Sequence, residues 1–132
     1  MNRQIKFRVW DKLGKHMYYA NPHFSIDFLG KVHNLQNGAA GDDFELMQYT
    51  GLNDKNGKEI YEGDIVRGVD YCDYKYKIAI IEICTFGGIC YCDPKIPNME
   101  DEDIWDKNRC LTFDQCYNEV IGNIFENSNL LK

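Results

Sequence analysis

The chain has 132 residues, 44% of them hydrophobic and 27% charged, with a net charge of −6, the profile of one ordinary domain able to bury a core without staples. That composition excludes disorder of the bulk, and the acidic balance argues against a constitutive nucleic-acid coat, which would be basic. No apolar run nears the ~20 residues a membrane helix needs, and Met1-Asn2-Arg3-Gln4-Ile5-Lys6 lacks the apolar region of a signal peptide, so a cytoplasmic protein with no membrane partner is expected.

Ile5-Lys6-Phe7-Arg8-Val9-Trp10 alternates apolar and basic residues, which predicts a first strand with Ile5, Phe7 and Val9 inward. The same parity puts Lys6, Arg8 and Trp10 on the outer face. Asp11–Lys15 supplies turn residues before His16-Met17-Tyr18-Tyr19, giving a hairpin. Asn21-Pro22 breaks the chain, Phe24–Phe28 alternates again, and Gly30 turns it toward Val32. Residues 37–43 read as a loop. A strand over Glu45–Thr50 leads to Asn56-Gly57, a tight-turn pair, because both residues take positive φ cheaply. Glu59-Ile60-Tyr61 and Gly63-Asp64-Ile65-Val66 follow, with Gly63 expected in an unusual φ and Asp64 hydrogen-bonded to the turn backbone.

The run Tyr76–Thr85 is apolar on both faces and reads as a central, doubly buried strand. Gly87-Gly88 turns it into Ile89-Cys90-Tyr91-Cys92. Residues 93–109 form a long excursion in which Asp93, Glu100, Asp101, Glu102, Asp103 and Asp106 face Lys95, with a helical turn expected near Glu100–Trp105. A solvated loop explains this cluster better than mimicry of nucleic-acid phosphates, for which the rest of the chain is too weakly acidic. A last strand is expected over about Glu119–Phe125. Asn127-Ser128-Asn129-Leu130-Leu131 then reads as a capped helical turn that tucks in two leucines.

Three of these segments, Ile5–Lys12, Met47–Val66 and Val120–Leu131, occur in order and span the chain. Together they resemble the YopX family of phage and prophage proteins. The resemblance implies a phage or prophage origin and a mainly β fold: an SH3-type β-barrel with additional N-terminal hairpin strands and a short C-terminal helical turn. It implies no activity. The family's usual tail, Asn-Pro-Glu-Leu-Leu, here lacks its proline, a departure that touches helix initiation and nothing functional.

The six cysteines, Cys72, Cys84, Cys90, Cys92, Cys110 and Cys116, read as small buried thiols, since a reducing cytoplasm argues against a disulfide framework. No Cys-x₂-Cys pair is present to hold zinc. The chain also lacks a phosphate loop, a Gly-x-Ser-x-Gly elbow, a His-Glu-x-x-His motif and a dinucleotide fingerprint. His33, near acidic loops, is a general-base candidate of a kind any small domain contains. No catalytic residue, metal ligand or cofactor is assigned.

Basic side chains gather near the amino terminus, where Arg3, Lys6, Arg8, Lys12 and Lys15 face Asp11. Lys6 and Arg8 beside an outward Trp10 would make a stacking and phosphate platform, although a Trp packed beneath a neighbouring hairpin is the simpler alternative. Lys55, Asn56 and Lys58 at the central turn are further phosphate contacts in principle. The expectation is a non-catalytic accessory protein, a binding module acting through loops on a small barrel toward a host or phage protein. The alternative is a small barrel nucleic-acid-binding protein or nuclease using Lys6, Arg8, Trp10, Lys12 and Lys58. Nine tyrosines and two tryptophans are compatible with an aromatic interface between copies as well as with a monomer.

Overall fold

The computed structural model describes residues 4–19, 21–36, 38, 43–83, 88–95, 111, 113 and 117–132. They are mainly β. The strands are β1 (Phe7–Asp11), β2 (His16–Tyr19), β3 (Phe24–Ile26), β4 (Val32–Asn34), β5 (Phe44–Asn53), β6 (Glu59–Tyr61), β7 (Asp64–Asp70), β8 (Lys75–Ile83), β9 (Ile89–Cys92) and β10 (Glu119–Asn123), followed by a 3₁₀ turn, Ser128–Leu131. Two four-stranded sheets run in the orders β2-β1-β5-β6 and β10-β7-β8-β9, and β3-β4 is a separate ribbon. The chain divides into two compact units, Met1–Tyr49 and Thr50–Lys132. The acidic excursion beyond Lys95, with its expected helical turn, and most of the 37–43 loop lie outside the described residues.

In the first unit β1 is an inner strand, antiparallel to both β2 and β5. The Asp11 carboxylate closes its hairpin by accepting the N–H groups of Leu13 and Gly14, both at 3.0 Å. Strict alternation fails in β1: Arg8, Val9 and Trp10 are all buried, at 2%, 5% and 8% exposure. An inner strand covered on both sides has no outer face, so the parity that set Arg8 and Trp10 toward solvent does not apply. The β3-β4 ribbon turns through Asp27–Lys31, as Gly30 (φ 79) allows.

The second unit's core is built from Ile60, Val66, Ala79, Ile81 and Phe113, with Leu52, Ile89, Tyr91, Leu111 and Val120 packed against it. Burying each large aliphatic side chain contributes about 1.5–3 kcal/mol. Gly68 is small because the core demands it: a Cβ there would sit 3.0 Å from the Phe113 ring. The β6–β7 turn forms as its residues suggest, with Gly63 at φ 80 and the Asp64 carboxylate accepting the Tyr61 N–H at 2.8 Å. Strand β8 is central, but even in its second half one face alone is fully buried, with Ile78 and Ile80 on the other face half-buried. Ala79 and Ile81 are at 0% and 1% exposure, whereas Tyr76 stands out to solvent.

Three smaller expectations change. At the Asn56-Gly57 turn only Gly57 takes positive φ (83). Asn127 does not cap the 3₁₀ turn with its side chain; its Oδ1 reaches back to accept the Asn123 N–H at 3.1 Å, and Leu130 and Leu131 stay half-buried. The cysteines are not uniformly buried thiols. Cys90 is disulfide-bonded and Cys72 is exposed, whereas Cys92 is buried and donates to Glu82 Oε2 at 3.3 Å. A disulfide requires two sulfurs brought within bonding reach by the fold, which cysteine spacing and compartment do not reveal.

Asp54 ties this unit together. Its Oδ1 accepts the N–H groups of Asn56 and Lys58, and its Oδ2 accepts the N–H of Val120 on β10, each at 2.9 Å. Beside it the Lys55 N–H donates to the Asn118 carbonyl at 3.0 Å. Burial alone would push the Asp54 carboxyl up, but the N–H donors of Val120, Lys58 and Asn56 outweigh it and hold the group below its usual value. A depressed carboxylate stabilises the fold above its unfolded value and loses that stabilisation as pH falls through the folded one. Asp54→Ala is expected to cost about 2–3 kcal/mol in urea unfolding at neutral pH. Wild type and variant should converge as pH drops below about 4. An undiminished gap in acid would show that the loss came from something other than the charged carboxylate.

Candidate functional site: a tyrosine-lined cleft on the second unit

On β7 Val66 packs into the core and Gly68 faces the Phe113 ring, so Arg67 and Val69 turn outward. The register sets Glu119 and Ile78 on either side of Arg67, and Tyr76 opposite Val69. The turn after β7 adds Tyr71, the segment leading into β10 adds Tyr117, and the Asp54-held turn adds Lys55. Together they line an open cleft of about 760 Å³, within the usual range for small-ligand sites. Its rings are uncovered: Tyr71, Tyr117 and Tyr76 are 43%, 68% and 79% exposed.

The polar groups of the cleft converge on one carboxylate. Glu119 Oε2 accepts from the Arg67 guanidinium at 3.0 Å and pairs with Lys55 Nζ at 3.5 Å. The Arg67 hydrogen bond, followed by the charge of Lys55, holds the Glu119 carboxyl below its usual range. Two cations thus share one anion, leaving a local excess of positive charge. A second cleft of about 540 Å³ adjoins the first, shares Arg67 and Tyr76 with it, and is bordered by Lys95 and Lys132. Lys77, also on its edge, is already held by Asp70 and Asp73 at 2.7 and 2.8 Å, and its ammonium is shifted strongly upward, first by Asp70 and then by Asp73.

The turn that presents Tyr71 is itself constrained. Asp70 accepts the Cys72 N–H at 3.2 Å through Oδ1, and its carbonyl accepts the Tyr74 N–H at 2.7 Å. Tyr74 adopts φ 56, a conformation uncommon for a large side chain, and packs edge-on against Tyr71 with centroids 6.3 Å apart.

The sequence-derived candidates lie elsewhere. Lys6 sits 5.4 Å over the Tyr49 ring and Lys12 pairs with Glu45 at 2.9 Å. Buried Arg8 reaches the Tyr19 hydroxyl at 3.4 Å, and Trp10 is buried with it. Lys58 is exposed in the second unit, where its backbone serves Asp54. His33 pairs with Asp27 at 3.0 Å within the β3-β4 ribbon. Among the described residues no group of three or more His, Cys, Asp or Glu is placed to hold a metal ion. No helix among them is long and apolar enough to cross a membrane.

Arg8 and Trp10 are therefore expected to act on stability. Arg8→Ala should cost about 2 kcal/mol or more through lost packing and hydrogen bonding, and Trp10→Ala about 3–5 kcal/mol. Exposed Lys12→Ala should stay within about 0.5 kcal/mol. Urea unfolding measures all three, and an Arg8→Ala variant as stable as wild type would contradict the buried placement.

A family model described as YopX protein matches residues 6–132. Among solved structures, protein EF1440 from Enterococcus faecalis superposes with a TM-score of 0.60 at 26% identity, covering 99% of this chain and 100% of that one. Protein yopX from Bacillus subtilis superposes with a TM-score of 0.58 at 20% identity over 96% and 98% of the two chains, a likeness of fold alone. No match was found among curated proteins. Matched from its first strand to its last residue, the chain belongs to the YopX family.

Proposed function

We propose that this YopX-family chain is a non-catalytic binding module, and that the Tyr71–Tyr76–Tyr117 cleft is its ligand surface. The observation that carries the reading is the convergence of three exposed rings and two cations on a floor of paired strands. Exposed rings normally find cover, and rings that share a concave surface with charges mark recognition sites. No nucleophile–base pair is assigned a role in the cleft, so binding without chemistry is the economical reading.

The wider setting is part of the same proposal. We take residues 1–132 as one domain on an SH3-type barrel scaffold, of phage or prophage origin, acting in the bacterial cytoplasm on a host or phage partner. Lys6, Lys12 and Lys58 remain secondary contact candidates, whereas the burial of Arg8 and Trp10 removes the stacking platform that favoured a site on the first hairpin.

Amide chemical-shift mapping tests the reading. Titration with uridine monophosphate, a glutamate-rich peptide and free tyrosine is expected to move the amides of Arg67, Tyr76, Tyr117 and Glu119 with at least one probe. Shifts confined to the first unit, or none with any probe at millimolar concentration, would refute the cleft as the binding surface.

A further inference from the structure

Resting on the cleft as the binding surface, we infer that its ligand is single-stranded nucleic acid, with bases stacked on the exposed tyrosines and phosphates held by Arg67 and Lys55. Three observations converge on that chemistry. The first is the rings: Tyr71, Tyr76 and Tyr117 line one concave surface and are all exposed, and a base of any type can stack on an aromatic ring. The second is the charge: Arg67 and Lys55 lie within the same cleft, where a guanidinium fork suits a phosphate and an ammonium adds a point charge. The third is continuity. The adjoining cleft shares Arg67 and Tyr76 and brings in Lys95 and Lys132, so cationic side chains continue beyond one nucleotide.

Alternatives fit less well. Duplex bases are stacked on each other and present no faces to three tyrosines. An acidic peptide satisfies the cations but leaves the rings without planar partners, and Val69 is the one aliphatic side chain among the described residues lining the main cleft. The total charge of −6 disfavours non-specific coating of duplex and leaves a short, local, positively charged groove.

Glu119 gives this inference its signature. Its carboxylate accepts from Arg67 and pairs with Lys55, so a ligand phosphate competes with it for both cations. Removing the Glu119 charge should strengthen binding, whereas for a purely structural ion pair the same change would do nothing or weaken it.

The test is fluorescence anisotropy of the full chain with a labelled oligothymidylate of about twelve nucleotides, its RNA counterpart, a duplex of equal length and a labelled glutamate-rich peptide containing tyrosine. Single strands are expected to bind at least about tenfold tighter than duplex, and Tyr76→Ala and Arg67→Gln to weaken them about tenfold each. Glu119→Gln should tighten them severalfold. The logarithmic salt slope should be shallow, about −1.4 for two phosphate contacts. Tyr76 and Arg67 are largely exposed and Glu119 is half-buried, and unchanged urea midpoints confirm that all three variants fold. Equal affinity for duplex, indifference to Tyr76→Ala, or weakening by Glu119→Gln would overturn the inference. Peptide binding that depends on Arg67 without oligonucleotide binding would overturn the ligand class while leaving the binding module intact. No binding by any probe would overturn both.

Discussion

The arrangement of the second unit depends on one buried carboxylate. Asp54 binds its own turn through Oδ1 and a strand sixty-six residues away through Oδ2. The first pair of contacts reinforces the turn's own backbone hydrogen bonds. The contact to Val120 joins the Lys55 N–H bond to the Asn118 carbonyl in tying β10 to that turn. The consequence reaches the cleft, because Lys55 and Glu119 flank these anchored atoms directly: Lys55 follows Asp54, and Glu119 precedes Val120. Their meeting at 3.5 Å is thus a product of backbone hydrogen bonds. Exposed ion pairs of this sort contribute little stability by themselves, so Asp54 positions the pair and the pair does not position the strands.

The charges in the cleft are arranged for exchange. Arg67 and Lys55 share one carboxylate that is partly open to water, and each retains donors directed away from it. A resident anion of this kind keeps two nearby cations from repelling each other when the cleft is empty. It also sets a threshold, since an incoming anion must offer more than Glu119 does. A phosphodiester flanked by stacking bases meets that requirement through the rings; an isolated inorganic anion does not. Selectivity would then arise from the combination of ring and charge, neither of which suffices alone.

Local structure was legible wherever one residue type controls a turn. Gly63-Asp64, Asp11 and the Asn56-Gly57 pair announce their conformations because their side chains, or the lack of one, act on the adjacent backbone. The strand order was legible mainly through the family resemblance, since alternation identifies a strand but not its neighbours. The reading failed at β1, where alternation of Lys6, Arg8 and Trp10 with apolar residues looks half-exposed although the strand is internal. Arg8 is buried because its neighbours cover it, and those neighbours come from β2 and β5, distant in sequence from each other. The cleft was largely invisible for the same reason. Tyr117 lies more than forty residues beyond Tyr71 and Tyr76, and only the β10-β7-β8 register brings it to them. The one available signal was the density of tyrosines at 71, 74 and 76, which composition alone reads as a generic aromatic surface.

Net charge was the least informative quantity, for a physical reason. Three acids, Asp54, Asp64 and Asp70, are at most 6% exposed and turn their oxygens toward backbone N–H groups or Lys77. A partner in solution meets little of their field, because neighbouring dipoles and an ammonium neutralise it at close range. A formal charge of −6 therefore overstates the negative potential over the β10-β7-β8 face, where Lys55, Arg67, Lys95 and Lys132 outnumber Glu119 and Asp93. What an approaching anion encounters is set by which acids the fold has already committed to its own turns. Here the buried acids hold the turns, and the basic side chains of the cleft, Lys55 and Arg67, are left at the surface where a ligand can reach them.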